Sequence, residues 1–516
     1  MNKIVLLMAS MTFCFSIPAL ADKPNRENFA TINVSVDLPS MERINTTILN
    51  RELTVIASGA DLFNDPFYSL QTIFLESKSN TDGIGIGSVV VNFSPLRPIE
   101  IGVIDGSFFS GFTDIDLTNG QNFVRNAGAD YLIDPASDNT CESGHGSAVS
   151  SIIGALQDNG VSIAGIADVD IVVANALECN AGELTFLADA IVWLAGGRVE
   201  DYYFDNTTYP IKDTPVDIIN MSLGAYRLDL TCPIYLQESI NFAISKGVLL
   251  VSAAGNNNAL AGDSSPSNCE GIIVVGSVEA TSDLSGFDKT SFSNFGQDVN
   301  ISAPGKEIVA PSISDNEVML WSGTSFSSPI YVGLSARLKQ QLPNAEWKII
   351  TDILDLSSSP FNDTSICYSQ QCGSGVINAK EAVKMASSIT SNNALVTATP
   401  ILANTDFCDD KLYETSNRLF ARLCRTYELI IPSIGPERTV EIFQLNNSTN
   451  RGLSFPLPEN AISIATTNDP RFLLSNLDEN QYDYGFRVCD AGQTCSEALY
   501  RIALNSQQNP DSCSNR

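Results

Sequence analysis

Histidine is almost absent: one, His145, stands in 516 residues. Any step that needs an imidazole has to use it. Basic residues are also scarce, with 29 Lys and Arg against 59 Asp and Glu and a formal net charge of −30. Such a surface repels phosphate backbones and anionic lipid, so nucleic acid is not an expected partner; solubility and cation binding are favoured. The 12 cysteines form no CxxC pair, and with one histidine the chain is poorly supplied for zinc. No redox or organic cofactor is expected. After the N-terminus no apolar run approaches the length of a membrane span.

The N-terminus is MNKIVLLMASMTFCFSIPALA. Lys3, the apolar stretch Ile4 to Phe15 and the small residues Ala19-Leu20-Ala21 make a secretory signal that is too short to span a bilayer. Cys14 lacks the small residue that precedes a lipoprotein cysteine. The expected location is extracellular, with the periplasm as the alternative. In an exported chain the eleven remaining cysteines imply disulfides. Cys367 with Cys372 and Cys489 with Cys495 bracket short loops; Cys141 with Cys179 and Cys408 with Cys424 are further candidate pairs, and Cys513 is left over. Spacing alone does not fix the connectivity.

Apolar runs at 169–174, 216–220, 248–251 and 272–275 alternate with helical stretches at 184–194 and 236–246. Alternating strands and helices predict an α/β fold, a mostly parallel sheet covered on both faces. Within it, SGTSFSSP (Ser322 to Pro329) precedes apolar residues at helical spacing, Tyr331, Leu334, Leu338 and Leu342. Proline is best tolerated in the first helical turn, so Ser325 is expected at or just before a helix N-terminus, where unpaired N–H groups face an anion. A nucleophile backed by its own amide and an N-cap serine in a polar loop both satisfy that pattern. His145 lies in SGHGSAVSSIIGAL, before a helical face of Val149, Ile152, Ile153 and Leu156, with Ser143 or Ser147 as a possible cap. Gly144 and Gly146 allow another segment close approach. EIGVIDGSF (Glu100 to Phe108) reads as a buried strand ending in Asp105-Gly106, the place where α/β sheets carry functional groups or simply turn.

The order Asp105, His145, Ser325 and the segments around them resemble the subtilisin-like serine proteases, the subtilases. VIDGSF is similar to the family's Asp segment and GHGSAVSSIIGA to its His segment. NMSLG (Asn220 to Gly224) resembles the strand that pairs with substrate, through Ser222, Leu223 and Gly224. VSAAGNNN (Val251 to Asn258) resembles the segment bearing the oxyanion asparagine, which falls on Asn256, with Ala254 and Gly255 beside the substrate. SFSNFG, ISAPG, SGTSFSSP and the closing helix GVINAKEAV follow in order, so the likeness covers roughly residues 62 to 388. Ser147-Ala148 stands where Thr-His is common, Ile330-Tyr331 where His-Val is frequent, and Gly106-Ser107 where Thr-Gly or Ser-Gly is usual.

The resemblance implies a subtilisin-like doubly wound sheet and an endopeptidase acting on proteins or peptides. Its catalytic residues would be Asp105, His145, Ser325 and Asn256, its specificity broad or apolar. The alternatives are a narrow maturation protease and a silent binding scaffold. It implies a bridge between Cys232 and Cys269, and structural calcium, for which Asp65, Asp116 and Asn159 match the family's oxygen ligands. Asp263 to Pro266 should lie near the pocket for the side chain before the cleaved bond. The expected organisation is a signal at 1–21, a short pro-segment or extension at 22–60, a peptidase domain at 61–390 and a small β-sandwich-like domain at 391–516. The last is read from short alternating runs and is expected to bind substrate or a surface, or to stabilise the protease.

Overall fold

Ile101, Val103 and Ile104 are all at 0% exposure, as a strand buried on both faces requires. They belong to a computed structural model that describes residues 33–35, 40–43, 63–74, 84–89, 98–124 and most of 130–391, and beyond these only the backbone of strands between 401 and 502. The signal segment, Cys408, Cys424, Cys495 and Cys513, and the side chain of Cys489, lie outside the described residues.

Two short strands come first, β1 (Asn33–Ser35) and β2 (Ser40–Arg43). Then β3 (Glu100–Gly106) and β4 (Gly120–Asn122) lead to helix α1 (His145–Gly154), β5 (Asp170–Glu178), β6 (Ala181–Glu183) and α2 (Leu184–Leu194). Next are β7 (Ile218–Met221), β8 (Ala225–Tyr226), α3 (Ile234–Ser245), β9 (Leu249–Ala253), β10 (Ser264–Ser265), β11 (Ile273–Ala280) and β12 (Phe287–Lys289). The hairpin β14 (Ile308–Pro311) and β15 (Val318–Ser322) follows β13 (Ile301–Pro304) and feeds α4 (Thr324–Gln341), α5 (Trp347–Ser357), α6 (Ile366–Gln370) and α7 (Ala379–Ser391).

The main sheet runs β1-β6-β5-β3-β7-β9-β11-β12, with β13 also on β11 and β4 on β5. The pairs β5·β3, β3·β7, β7·β9, β9·β11 and β11·β13 are parallel. Antiparallel strands lie only towards its ends, β6, β1 and β12. Helices cover the sheet, α1 packing with α4 and α2 with α3. The expected α/β architecture is therefore the observed one. Beyond it, the alternating C-terminal runs are strands, among them Thr439–Asn446 and Tyr482–Cys489, in one three-stranded and one four-stranded antiparallel sheet.

Two local expectations need correction. Helix α1 ends at Gly154, so Leu156 falls beyond it and is 49% exposed instead of joining the apolar face. Pro329 is not in the first turn of α4, which begins at Thr324. At its observed place proline lacks the N–H that would reach the carbonyl four residues back, that of Ser325. The Ser222 hydroxyl, 103 residues away in sequence, donates to that carbonyl at 2.8 Å and takes its place.

Three disulfides are formed among the described cysteines, Cys141–Cys179, Cys232–Cys269 and Cys367–Cys372. Each joins a pair expected from the sequence.

Candidate active site

Asp105 sits near the end of β3 and His145 opens α1. Both are fully buried, and His145 Nδ1 lies 2.8 Å from Asp105 Oδ1. The Gly106 N–H donates to the same carboxylate oxygen at 2.7 Å, fixing its plane. One ring nitrogen is thus held by the carboxylate. The other, Nε2, is buried without a hydrogen-bond partner among the described residues. The rings of Phe326 and Trp321 stand edge-on to the imidazole, with centroids 5.3 and 6.3 Å away, and wall it from water.

The two glycines around His145 are sterically required. A Cβ on Gly144 would fall 1.8 Å from the Ser312 carbonyl oxygen, and one on Gly146 would fall 2.5 Å from that of Gly106. Neither serine candidate caps α1. Ser147 Oγ accepts the Phe109 N–H, and the Ser143 hydroxyl donates to Asn180 Oδ1.

Ser325 is the second residue of α4, with its hydroxyl donating to the Ser222 carbonyl at 3.0 Å. Asn256 Oδ1 accepts both the N–H and the hydroxyl of Thr324, each at 2.9 Å, which orients the side-chain amide beside Ser325. The loop that carries Asn256 is pinned from behind. Asn294 Oδ1 accepts the N–H groups of Asn257 and Ala259, and buried Lys289 donates to Asn258 Oδ1. The SFSNFG stretch is therefore a support for that loop, a role the sequence did not reveal.

A cleft of about 310 Å³ opens over Ser325, bounded by Leu223, Gly224, Gly255, Asn256, Ser264 and Ser267 among others; none of its lining residues is charged. Ser222 lines it as well. Ala254 does not: it is fully buried, its N–H bonded to Val275 O and its carbonyl to Asn294 Nδ2. Asp263 is likewise not among the lining residues.

The oxygen cluster expected for calcium is only partly as anticipated. Asp65 Oδ2 and Oδ1 accept the N–H groups of Asp158 and Asn159 at 2.9 and 3.1 Å. The side chain of Asn159 reaches Asp114, not Asp116, at 2.9 Å. Asp116 instead accepts the hydroxyl and N–H of Thr118, and these bonds hold its carboxyl below the usual range. Asp114 is pushed up to about 7, first by burial and then by the carboxylates of Asp315 and Asp65. Asp114 and Asp116 are two residues apart, a spacing that puts both carboxylates on the same side of an extended chain, and nothing in the sequence says which one faces inward.

Residues 78–375 match the family model described as the subtilase family. The chain belongs to the subtilase family. Among curated subtilase relatives, it is 32% identical over 249 residues to an extracellular protease of Xanthomonas campestris, covering 47% of this chain and 40% of that one. It is 35% identical over 246 residues to a thermophilic serine proteinase of a Bacillus species, covering 47% and 52%. The chain thus spans about half the length, or less, of these relatives. A solved protease structure from Pseudoalteromonas arctica superposes with a TM-score of 0.52 at 26% identity, over 63% of this subtilase and 99% of that chain. No helix among the described residues is long and apolar enough to cross a membrane.

Proposed function

We propose that the chain is an exported serine endopeptidase with Asp105, His145 and Ser325 as its triad. The observation that carries this reading is the 2.8 Å bond between a fully buried imidazole and a fully buried carboxylate, with the imidazole 5.3 Å from the ring of Phe326, the neighbour of Ser325, which lines a cleft with Asn256. His145 Nε2 takes the Ser325 proton as that hydroxyl leaves the Ser222 carbonyl. The alkoxide attacks the scissile carbonyl carbon. The Asn256 amide and the Ser325 N–H stabilise the oxyanion, and Asp105 holds the imidazole tautomer and balances its charge. His145 then protonates the leaving amine, and water hydrolyses the acyl-enzyme by the reverse route. The uncharged cleft fits neutral or apolar side chains before the cleaved bond.

A serine-directed fluorophosphonate is expected to label the protein at Ser325, and Ser325→Ala is expected to abolish the label. Casein cleavage in parallel separates a general protease from a narrow one. Absence of label on mature protein would sink the catalytic reading. Asn256→Ala removes one oxyanion donor and is expected to lower kcat by about 10²–10³, the magnitude known for this kind of donor, with little change in KM. Steady-state kinetics on a peptide amide checks it.

Subtilases commonly bind structural calcium, and the loop at 158–163 fits such an ion. It gathers the carboxylates of Asp65 and Asp114 close enough for the first to raise the proton affinity of the second, an excess of negative oxygen that suits a hard cation. Among the described residues no three acidic, His or Cys side chains converge, so Asn159 and loop carbonyls would complete the set. The ion would supply rigidity, not chemistry. Chelation is expected to lower Tm, with about 2.7 kcal/mol lost from a site held at a hundredfold excess over Kd. Asp114→Asn should remove most of that calcium response in a thermal melt.

A further inference from the structure

Lys289 is the last residue of β12, at the end of the main sheet, and is buried. A buried ammonium needs partners for its three donors. It has three: Asn258 Oδ1 at 2.7 Å, the Ser293 carbonyl at 3.0 Å and the Thr290 carbonyl at 3.1 Å. The centre of the Phe295 ring lies 5.5 Å from Nζ. All three bonds go to neutral oxygens. Adjacent Asp288 turns to α6, where it accepts the Ser365 hydroxyl at 2.6 Å and the Ile366 N–H at 3.0 Å. Burial lowers the proton affinity of Lys289, and the charge of Asp288 offsets part of that.

The three oxygens belong to two segments. Thr290 and Ser293 follow β12, and Asn258 lies two residues past Asn256. Asn258 has a φ of +50°, in the left-handed region that a residue with a Cβ enters at a cost and that Asn tolerates better than most. Its N–H donates to the Phe292 carbonyl at 2.7 Å. Asn294 ties the backbone N–H groups of residues 257 and 259, and Lys289 ties the side chain between them. On the other side, Asn256 Oδ1 is bonded to Thr324, whose hydroxyl also accepts the Gly255 N–H at 3.1 Å. Asn256 is thus suspended between two anchors, the helix that carries Ser325 and the segment from Lys289 to Asn294.

We propose that Lys289 is a positioning residue for the oxyanion donor: by fixing the left-handed turn at Asn258 it aims the Asn256 amide before substrate arrives. The proposal rests on the serine endopeptidase reading. Lys289 is not among the residues that line the cleft, so its effect passes through geometry alone. A preorganised donor stabilises charge that exists only in the transition state, so loosening it lowers kcat and spares KM. An ammonium suits the task because it donates to three oxygens from one point and so crosslinks the two segments. Its loss frees the turn and strands the Thr290 and Ser293 carbonyls together.

The test compares variants of the full chain by steady-state kinetics on a peptide amide and by thermal melts. Lys289→Met is expected to lower kcat by about 10-fold, part of the roughly 10²–10³ that loss of the whole donor costs, with KM changed by less than about twofold. Lys289→Arg keeps the charge and several donors and should recover part of that loss. Asn258→Gly cuts the bond to the turn but permits the same φ, so it tests the link even where Lys289→Met fails to fold; it should lower kcat by about 3-fold. Asn258→Asp keeps an acceptor oxygen and should keep the parent kcat. The deciding arm uses Asn256→Ala as background. With no amide left to aim, adding Lys289→Met or Asn258→Gly should cost less than about a further 1.5-fold. A loss in that background equal to the loss in the parent overturns the proposal, as does parent kcat in folded Lys289→Met and Asn258→Gly. Either result makes Lys289 a packing residue and leaves the peptidase reading standing. A parent chain that no fluorophosphonate labels removes the peptidase reading and this proposal with it.

Discussion

His145→Ala lowers kcat by about 10⁶, equivalent to roughly 8 kcal/mol of transition-state stabilisation, the magnitude known for loss of a triad member in this family. The chain has no other histidine to substitute for it. The one imidazole is bonded to Asp105 through Nδ1, which leaves Nε2, buried without a hydrogen-bond partner among the described residues, as the atom to receive a proton. Asp105→Asn is expected to cost less, about 10⁴, because a base remains but in the wrong tautomer. Combining His145→Ala with Ser325→Ala should add almost nothing to either alone, since the two act as one unit. Kinetics on a peptide amide, with circular dichroism to confirm the fold, measures all four proteins. A His145→Ala protein that keeps more than about a hundredth of the activity would assign the base to another group. The same result would leave the Asp105–His145 pair as a packing feature.

Much of this site was legible because it is local. Asp105 ends an uninterrupted apolar run, and such a run becomes a central parallel strand, buried on both faces. His145 opens a helix whose buried face, Val149, Ile152 and Ile153, repeats at helical spacing. The span 184–194 is a helix with the bounds its apolar pattern gives. What was hidden depends on partners far along the chain. Pro329 can sit past the first turn only because Ser222 satisfies the carbonyl it abandons. Ala254 lies two residues before Asn256 but spends both backbone groups on other elements. Asp114 rather than Asp116 faces the 158–163 loop, and period-two alternation cannot choose between them. The strand at 33–35 is three residues long, too short for a pattern, and its partners lie about 150 and 190 residues away.

Removing the Cys141–Cys179 bridge, by replacing both residues with serine, is expected to destabilise the protein by about 4 kcal/mol. The bond closes a loop of 38 residues, and the chain entropy it withholds from the unfolded state has that size. The loop contains α1 and the whole of β5, so the bridge ties the approach to His145 to the turn after β5. That turn also touches the other half of the pair. The Cys179 carbonyl accepts the Ser107 hydroxyl at 3.1 Å, and a Cβ on Gly106 would fall 2.4 Å from the same oxygen. One crosslink therefore holds together the segments that carry Asp105 and His145, whose bond requires both to be in place. The double variant should melt lower and lose kcat together, whereas Cys367 with Cys372, which encloses a separation of 5, should cost clearly less stability and leave kcat unchanged. Thiol reductant should lower the melting temperature of the parent protein towards that of the double variant and affect the variant little. Equal losses from the two bridges would show that loop length is not what sets the effect. Unchanged kcat in the Cys141–Cys179 variant, measured well below its melting temperature, would show that packing alone keeps Asp105 and His145 in register.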